Sequence, residues 1–279
     1  MKPETDIIRV GEWNIYVERY IYPGITESVI CVNGSFSTTL SFRNCVKSLK
    51  NSMNVILFDL PFIGKSRPHN QLSRLLPKSE EVTILNHLIE RYQPTSILSL
   101  SWGGVATLMA LSTRPCSIRK AIVASFSTRI TPAMRSFIAS AKTLLDEGKN
   151  NEIATLLNNE LGKYLPGLLR QVNHEHIKNL DQEAYRQASF HIEQISALCH
   201  EDYLDIFHNI ETPIMFINGE RDEYTTPEDI RNIENDIQNC EFITVPETGH
   251  FLDMESRSAS QCVGRFLNNY FLLGNAVAS

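Results

Sequence analysis

Apolar positions along this chain fall into two alternating rhythms. Residues 6–10 and 13–20, rich in Ile, Val and Tyr, read as a hairpin. SVICVNG at 28–34 and MNVILFDLP at 53–61 are short continuous apolar runs bounded by turn residues. Continuous rather than alternating apolarity suits strands covered on both faces, as in a parallel sheet. Between them Phe42, Cys45, Val46 and Leu49 recur at helical spacing. Pro77 precedes a helix with Val82, Leu85, Leu88 and Ile89 on one face, and Pro94 closes it. SILSLS then reads as a strand, followed by a helix with Val105, Leu108 and Met109, and RKAIVASF as the next strand. PIMFING and CEFITVP follow later, separated by a helix near 227–237, and the last helix groups Val263, Phe266, Leu267 and Tyr270. Such alternation predicts an α/β fold with a mostly parallel sheet flanked by helices.

One stretch breaks the rhythm. Residues 127–206 carry no convincing strand but contain helical segments, MRSFIASAKTLL, NEIATLLNNELGKYL and EAYRQASFHIEQISAL. This predicts an α/β core made of 1–126 and 207–279, interrupted by a helical cap insertion over 127–206. A cap would sit over the carboxyl edge of the sheet, where open α/β sheets bind ligands.

Composition narrows the setting without naming any chemistry. The 279 residues are 42% hydrophobic with a formal net charge of -6, enough apolar material for one large core. Mild acidity argues against nucleic acid, which needs phosphate-neutralising Lys and Arg, and against a polybasic membrane anchor. No apolar run approaches the roughly 18 residues of a membrane span, and MKPETDIIRV has acids where a secretory signal is apolar. The six cysteines, Cys31, Cys45, Cys116, Cys199, Cys240 and Cys262, are scattered with no C-x-x-C. Buried free thiols in a reducing cytoplasm fit this spacing better than disulfides or zinc.

The sharpest chemical signal is Ser99-Leu100-Ser101-Trp102-Gly103-Gly104, after an apolar strand and at the opening of a helix. That is the setting of a nucleophile elbow, with Ser99 replacing the usual first glycine. The bare string S-x-S-x-G is weak, and an ordinary turn would also produce it. A serine nucleophile needs a base held by a third group. Asp222 follows the strand PIMFIN and His250 follows CEFITVP, in the chain order Ser, Asp, His expected of such a site. Ser101, Asp222 and His250 are therefore the expected triad. Asp229 and Asp253 are the rival acids, the first inside a helix and the second better read as a charge at a helix start. The oxyanion donors expected are the backbone N–H groups of Trp102 and Ser35, with Phe36 next. Asn33 stands where many such enzymes carry His, and Asp59 reads as a loop organiser. His174 and His176 read as cap surface, and no metal is expected.

From 127 to 200 eight Lys and Arg balance eight Asp and Glu. Within this stretch Arg129, Arg135 and Lys142 occur with no acid between 128 and 142, and Arg135 and Lys142 are seven apart on one helical face. Solvated charge explains most such patches; a dock for an acidic or phosphate-bearing carrier is the functional reading. Met134, Phe137, Ile138, Leu144 and Leu145 could line a channel, although packing explains them equally well.

At this point the sequence resembles the α/β-hydrolase superfamily. More narrowly it is similar to the 3-(3-hydroxyalkanoyloxy)alkanoic acid synthases, the first enzymes of bacterial rhamnolipid biosynthesis. VNGSFSTTLSF, NVILFDLPFIGKSRPHN, SWGG, GKYLP, FHIEQ, FINGERDEYTT and TGHFLDMES carry the resemblance over roughly residues 8–270. It implies a serine-nucleophile acyltransferase that takes two 3-hydroxyacyl groups from acyl carrier protein or coenzyme A and joins them through an ester bond. It implies no cofactor, and it suggests a glycosyltransferase partner acting on the lipid product. The triad alone equally supports a carboxylester or thioester hydrolase, and a non-catalytic receptor of the same fold is a third reading that an intact triad disfavours.

Overall fold

The structure is a computed structural model and describes residues 2–71, 74–197 and 205–272. The apolar runs pair into one eight-stranded sheet. Its strands are β1 (Glu4–Val10), β2 (Trp13–Tyr20), β3 (Ser28–Val32), β4 (Asn54–Phe58), β5 (Ser96–Leu100), β6 (Lys120–Ala124), β7 (Ile214–Gly219) and β8 (Cys240–Val245). They lie in the order β1-β2-β4-β3-β5-β6-β7-β8. β1 pairs with β2 and β2 with β4 antiparallel, and every later pair is parallel. β3, β4 and β7 are buried along their whole length, which is why their sequences do not alternate.

Successive side chains on a strand point to opposite faces, and this splits the core in two. Ile30, Val32, Ile97, Ala121 and Val123 pack on one side against α2 (Lys78–Tyr92) and α3 (Gly103–Leu111). Val29, Cys31, Leu98 and Ile122 pack on the other against α1 (Arg43–Leu49) and the C-terminal helix (Arg257–Leu272). Helix α2 begins after Pro77 and ends where Gln93 turns left-handed at φ 47° before Pro94, as the sequence implied.

Four helices lie between β6 and β7: α4 (Pro132–Asp146), α5 (Asn150–Asn159), α6 (Gly167–Lys178) and α7 (Gln182–Ala197). Two helices complete the order, the short α8 (Pro227–Arg231) and α9, the C-terminal helix already given. The α8 region is shorter than expected and continues as a 3-10 turn through Asn235. In the insertion the expected helix over 151–165 stops at Asn159, and α6 follows as a separate helix. Its outer face carries Leu168 and Val172 exposed, so its periodicity does not mark a buried stripe.

The insertion has its own core of Ala141, Leu145, Ile153, Ala154, Ile177, Tyr185, Ala188 and Ile192. Phe36 and Trp102, two residues of the α/β core, pack against it. Leu145 is buried there and Phe137, Ile138 and Leu144 pack around it, while the Phe137 ring meets Tyr224 edge-on at 5.5 Å.

No described helix is long and apolar enough to cross a membrane. Cys31, Cys45, Cys116, Cys240 and Cys262 are free thiols. Cys116 is exposed rather than buried, because it sits in the turn after α3 instead of on a strand. Cys199 and residues 200–204 of the insertion lie outside the described residues.

Candidate active site

Strand order decides where chemistry can sit. From β3 the backbone moves to β4 on one side and returns to β5 on the other, so the connections diverge at the β3/β5 boundary. A crevice opens at such a switch point outside the carboxyl ends of the strands. Asn33 leaves β3 there and Ser101 leaves β5.

Ser101 adopts φ +50°, a left-handed backbone that a side chain tolerates only when its surroundings enforce it. Its N–H donates to the Ala124 carbonyl at 2.8 Å, and its carbonyl accepts from the Gly104 N–H at 2.8 Å. The turn also needs glycine. A Cβ on Gly103 would stand 2.6 Å from the Asn33 carbonyl oxygen and 2.8 Å from that of Val32, and one on Gly34 would meet Ser101 Cβ at 3.2 Å. The loop after β3 is thus pressed directly against the serine.

His250 Nε2 lies 3.1 Å from Ser101 Oγ, and His250 Nδ1 lies 2.8 Å from Asp222 Oδ2. Asp222 Oδ2 also accepts from Thr225 Oγ1 at 2.6 Å, and Oδ1 accepts from the Tyr224 and Thr225 N–H groups at 2.9 and 3.1 Å. Burial pushes the Asp222 carboxyl up, but the His250 ring and these donors outweigh it and hold the group below the usual carboxylate range. An anion so fixed favours the tautomer with a proton on Nδ1, leaving Nε2 free to accept from the serine.

The rival acids are placed elsewhere. Asp229 is bound by Thr226 at the start of α8. Asp253 lies in a 3-10 turn ahead of α9 rather than in the first turn of that helix, and burial raises its carboxyl to about 6. Glu223 pairs with Lys163 at 3.0 Å. Asp59 organises its loop as expected. Its oxygens accept from the Thr39 and Lys65 N–H groups at 2.7 and 2.8 Å, and burial raises it to about 6.

The Trp102 and Ser35 N–H groups donate to no partner among the described residues. Both residues line a cleft, with Asn33, Gly34, Phe36, Leu60, Phe62 and Ile63 from the core and Ala184, Ala188 and His191 from α7. Phe36, at φ +56°, is held from the insertion: the His176 ring donates from Nε2 to its carbonyl at 2.8 Å, and its ring lies 6.1 Å from that of Tyr185. His176 is therefore not surface, since α6 turns it inward onto this loop. Lys142 also departs from expectation. Its ammonium is taken up by Asp146 at 2.7 Å, Glu193 at 2.8 Å and Ser189 Oγ at 3.0 Å, which removes it as a docking cation. Arg129 and Arg135 are exposed and make no ion pair among the described residues.

Three supporting residues escape sequence reasoning. Glu255 accepts from the Gly249 and Phe251 N–H groups at 2.6 and 3.0 Å and so clamps the His250 turn from both sides. Ser125 Oγ donates to the His250 carbonyl at 2.6 Å. Asn218 ties β7 to the Asp222 loop through the Thr225 carbonyl at 2.8 Å. Only Glu255, six residues after Gly249, carried a local signal. Among the described residues no group of His, Cys, Asp and Glu has the arrangement of a metal site.

With an elbow serine, a buried carboxylate and a histidine after β5, β7 and β8, the chain belongs to the α/β-hydrolase fold family, whose model matches residues 27–256. Among its relatives, a Pseudomonas aeruginosa protein named (R)-3-hydroxydecanoyl-ACP:CoA transacylase is 42% identical over 94% of this sequence and 87% of its own length. A Pseudomonas putida protein of the same name is 40% identical over 94% and 89%. Among solved structures, a deep-sea metagenome α/β hydrolase superimposes with a TM-score of 0.79 at 17% identity over 98% of this sequence and 99% of its own. An enol-lactonase from Burkholderia xenovorans gives 0.76 at 15% over 94% and 99%. At these identities the structures share the fold alone.

Proposed function

We propose that this protein is a serine acyltransferase that joins two 3-hydroxyacyl groups through an ester bond. The acyl groups arrive as thioesters on acyl carrier protein or coenzyme A. The observation that carries the reading is the aligned Ser101–His250–Asp222 relay, in a sequence 42% identical to a named hydroxyacyl transacylase. His250 takes the Ser101 proton as Oγ attacks the thioester carbon, and the Trp102 and Ser35 amides receive the oxyanion. The C–S bond breaks and His250 returns the proton to the departing thiol. His250 then takes the proton of the second 3-hydroxyl, whose oxygen attacks the acyl-enzyme and releases Ser101. An acceptor still on its carrier leaves as the dimer thioester, and hydrolysis of that thioester gives the 3-(3-hydroxyalkanoyloxy)alkanoic acid. The one free hydroxyl of this product is the group a glycosyltransferase partner would use.

Water competes with the second hydroxyl, so the site must be closed against it. Residues 127–206 act as the cap that does this, through the packing of Phe36 and Trp102 into its core. Arg129 and Arg135 receive the acidic carrier, and Phe36 borders the acyl chain. The setting is the cytoplasm.

The names of the relatives favour a second acceptor, the thiol of coenzyme A, reached through the same acyl-enzyme. One experiment separates the readings. (R)-3-hydroxydecanoyl-acyl carrier protein is supplied with and without coenzyme A, beside Ser101→Ala, and products are read by mass spectrometry. Ester dimer supports the first reading, hydroxydecanoyl-CoA the second, and free acid alone a hydrolase. Absence of any Ser101-dependent product sinks all three.

A further inference from the structure

The core and the insertion share one buried charged cluster that the steps above leave unused. Lys78 and Glu81 stand one turn apart at the start of α2, and Gln187 and His191 one turn apart on α7. Lys78 Nζ lies 2.5 Å from Glu81 Oε2, and His191 Nε2 lies 2.5 Å from Glu81 Oε1. The three side chains are only 8%, 5% and 6% exposed. Gln187 clasps the backbone of Leu76, accepting from its N–H at 2.8 Å and donating to its carbonyl at 2.7 Å, which fixes α7 to the segment leading into α2. The His191 ring meets Phe62 edge-on at 5.5 Å and Trp102 at 6.4 Å. Burial pushes the Glu81 carboxyl up, yet the charges of His191 and Lys78 hold it at about 2. Apolar residues of similar volume are often at least as stable in such a place, so stability alone does not explain the cluster.

Its position suggests what does. Lys78, Glu81 and His191 line the same cleft as Ser35 and Trp102. That cleft meets the triad through these two residues, whose amides would hold the acyl carbonyl oxygen, and its other side chains are mostly apolar. A 3-hydroxyacyl chain has one polar atom beyond its carbonyl, and this cluster supplies the ionisable groups of the cleft. We propose that His191, whose Nε2 is taken up by Glu81 and by Gln187 Nε2 at 2.7 Å, receives at Nδ1 the 3-hydroxyl of the acyl group carried on Ser101 and makes the enzyme select 3-hydroxyacyl over unsubstituted chains. An apolar slot discriminates weakly between such substrates, whereas a buried polar group left unpaired by the wrong one discriminates strongly. The same contact keeps the hydroxyl of the bound acyl group away from His250, which is reserved for the hydroxyl of the acceptor. The inference rests on the proposed function.

The test compares kcat/KM for coenzyme A thiol release from (R)-3-hydroxydecanoyl-CoA and from decanoyl-CoA, in wild type, His191→Phe and His191→Gln. Wild type is expected to favour the hydroxylated substrate by about tenfold or more. His191→Phe should erase that preference by slowing the hydroxylated substrate by a larger factor than decanoyl-CoA. His191→Gln, which retains a hydrogen-bonding end, should keep part of it. If Phe at 191 prevents folding, Glu81→Gln is expected to lower the preference in the same direction. A preference unchanged in the folded variants, or equal slowing of both substrates, overturns the inference. A wild type that cleaves both substrates equally also overturns it while leaving the acyltransferase reading intact, whereas a wild type that cleaves neither these nor the corresponding acyl carrier protein thioesters overturns that reading and the inference with it.

Discussion

The α/β core and the helical insertion solve the same problem, bringing groups to one crevice, by different means. In the core each chemical group leaves a strand end, and the backbone sets its position. Ser101 is held by bonds to Ala124 and Gly104, and the His250 turn is clamped by Glu255 and Ser125. In the insertion, helical side chains reach the crevice laterally: His176 to the Phe36 carbonyl, Tyr185 to the Phe36 ring, His191 to Glu81. Backbone placement tolerates almost no added atoms, whereas lateral placement depends on which side chains meet across helices. The core should therefore be brittle at single positions and the insertion forgiving at most of them.

The largest expected effect tests the core half of that contrast. Asp222→Asn keeps the shape but supplies an amide where His250 Nδ1 needs an anion. Since Oδ1 and Oδ2 together take four hydrogen bonds, the substituted side chain turns an N–H toward at least one donor. Acyl transfer is expected to fall about 10⁴-fold, as when other such triads lose the charge, with a thermal unfolding midpoint lowered by only a few degrees. A fall of only a few-fold would mean that another acid serves His250.

The junction between the two regions comes next. Glu81 is ionised in the fold and held at about 2, below its ordinary 4.5. A carboxyl depressed by folding contributes stability above its unfolded pKa and loses it as pH falls through the folded one. In urea unfolding, the stability difference between wild type and Glu81→Gln should therefore shrink as pH drops from 4.5 toward 2. A shift of this size corresponds to about 3 kcal/mol over the full window. A difference that stays constant over this window would show that folding does not depress the Glu81 carboxyl, and that hydrogen bonding rather than ion pairing links α2 to α7.

The same contrast explains what the sequence disclosed. β3, β4 and β7 were legible as unbroken apolar runs, and Ser101, Asp222 and His250 as polar residues where those and neighbouring runs end, because strand ends are defined locally. The ionic fate of Lys142 was not legible. Its spacing from Arg135 described one helix, while its partner Glu193 belongs to α7. His176 was misread for the same reason, since its acceptor is a carbonyl 140 residues away. Helix α6 left no clear stripe because Leu168 and Val172 face outward. Glu255 lay inside a recognisable motif, but nothing local showed that its two oxygens would clamp the turn.

The smallest effect compares two glycines, one from each region. Gly103 opens α3 under the carbonyls of Asn33 and Val32, at 2.6 and 2.8 Å from a built Cβ. Those are backbone atoms that cannot rotate away, so Gly103→Ala should force the elbow and the β3 loop apart, at about 1–3 kcal/mol. Gly167 opens α6 with nothing within 4 Å of a Cβ and without a positive φ. Alanine there removes freedom from the unfolded chain and adds helix propensity, so Gly167→Ala should stabilise the protein by about 0.4–1 kcal/mol. Denaturant midpoints of the two variants measured together read the contrast directly, because both change glycine to alanine at the first position of a helix. A loss of similar size in both would mean that the insertion is as tightly determined by its backbone as the core, and that its side chains reach the crevice because the helices cannot shift.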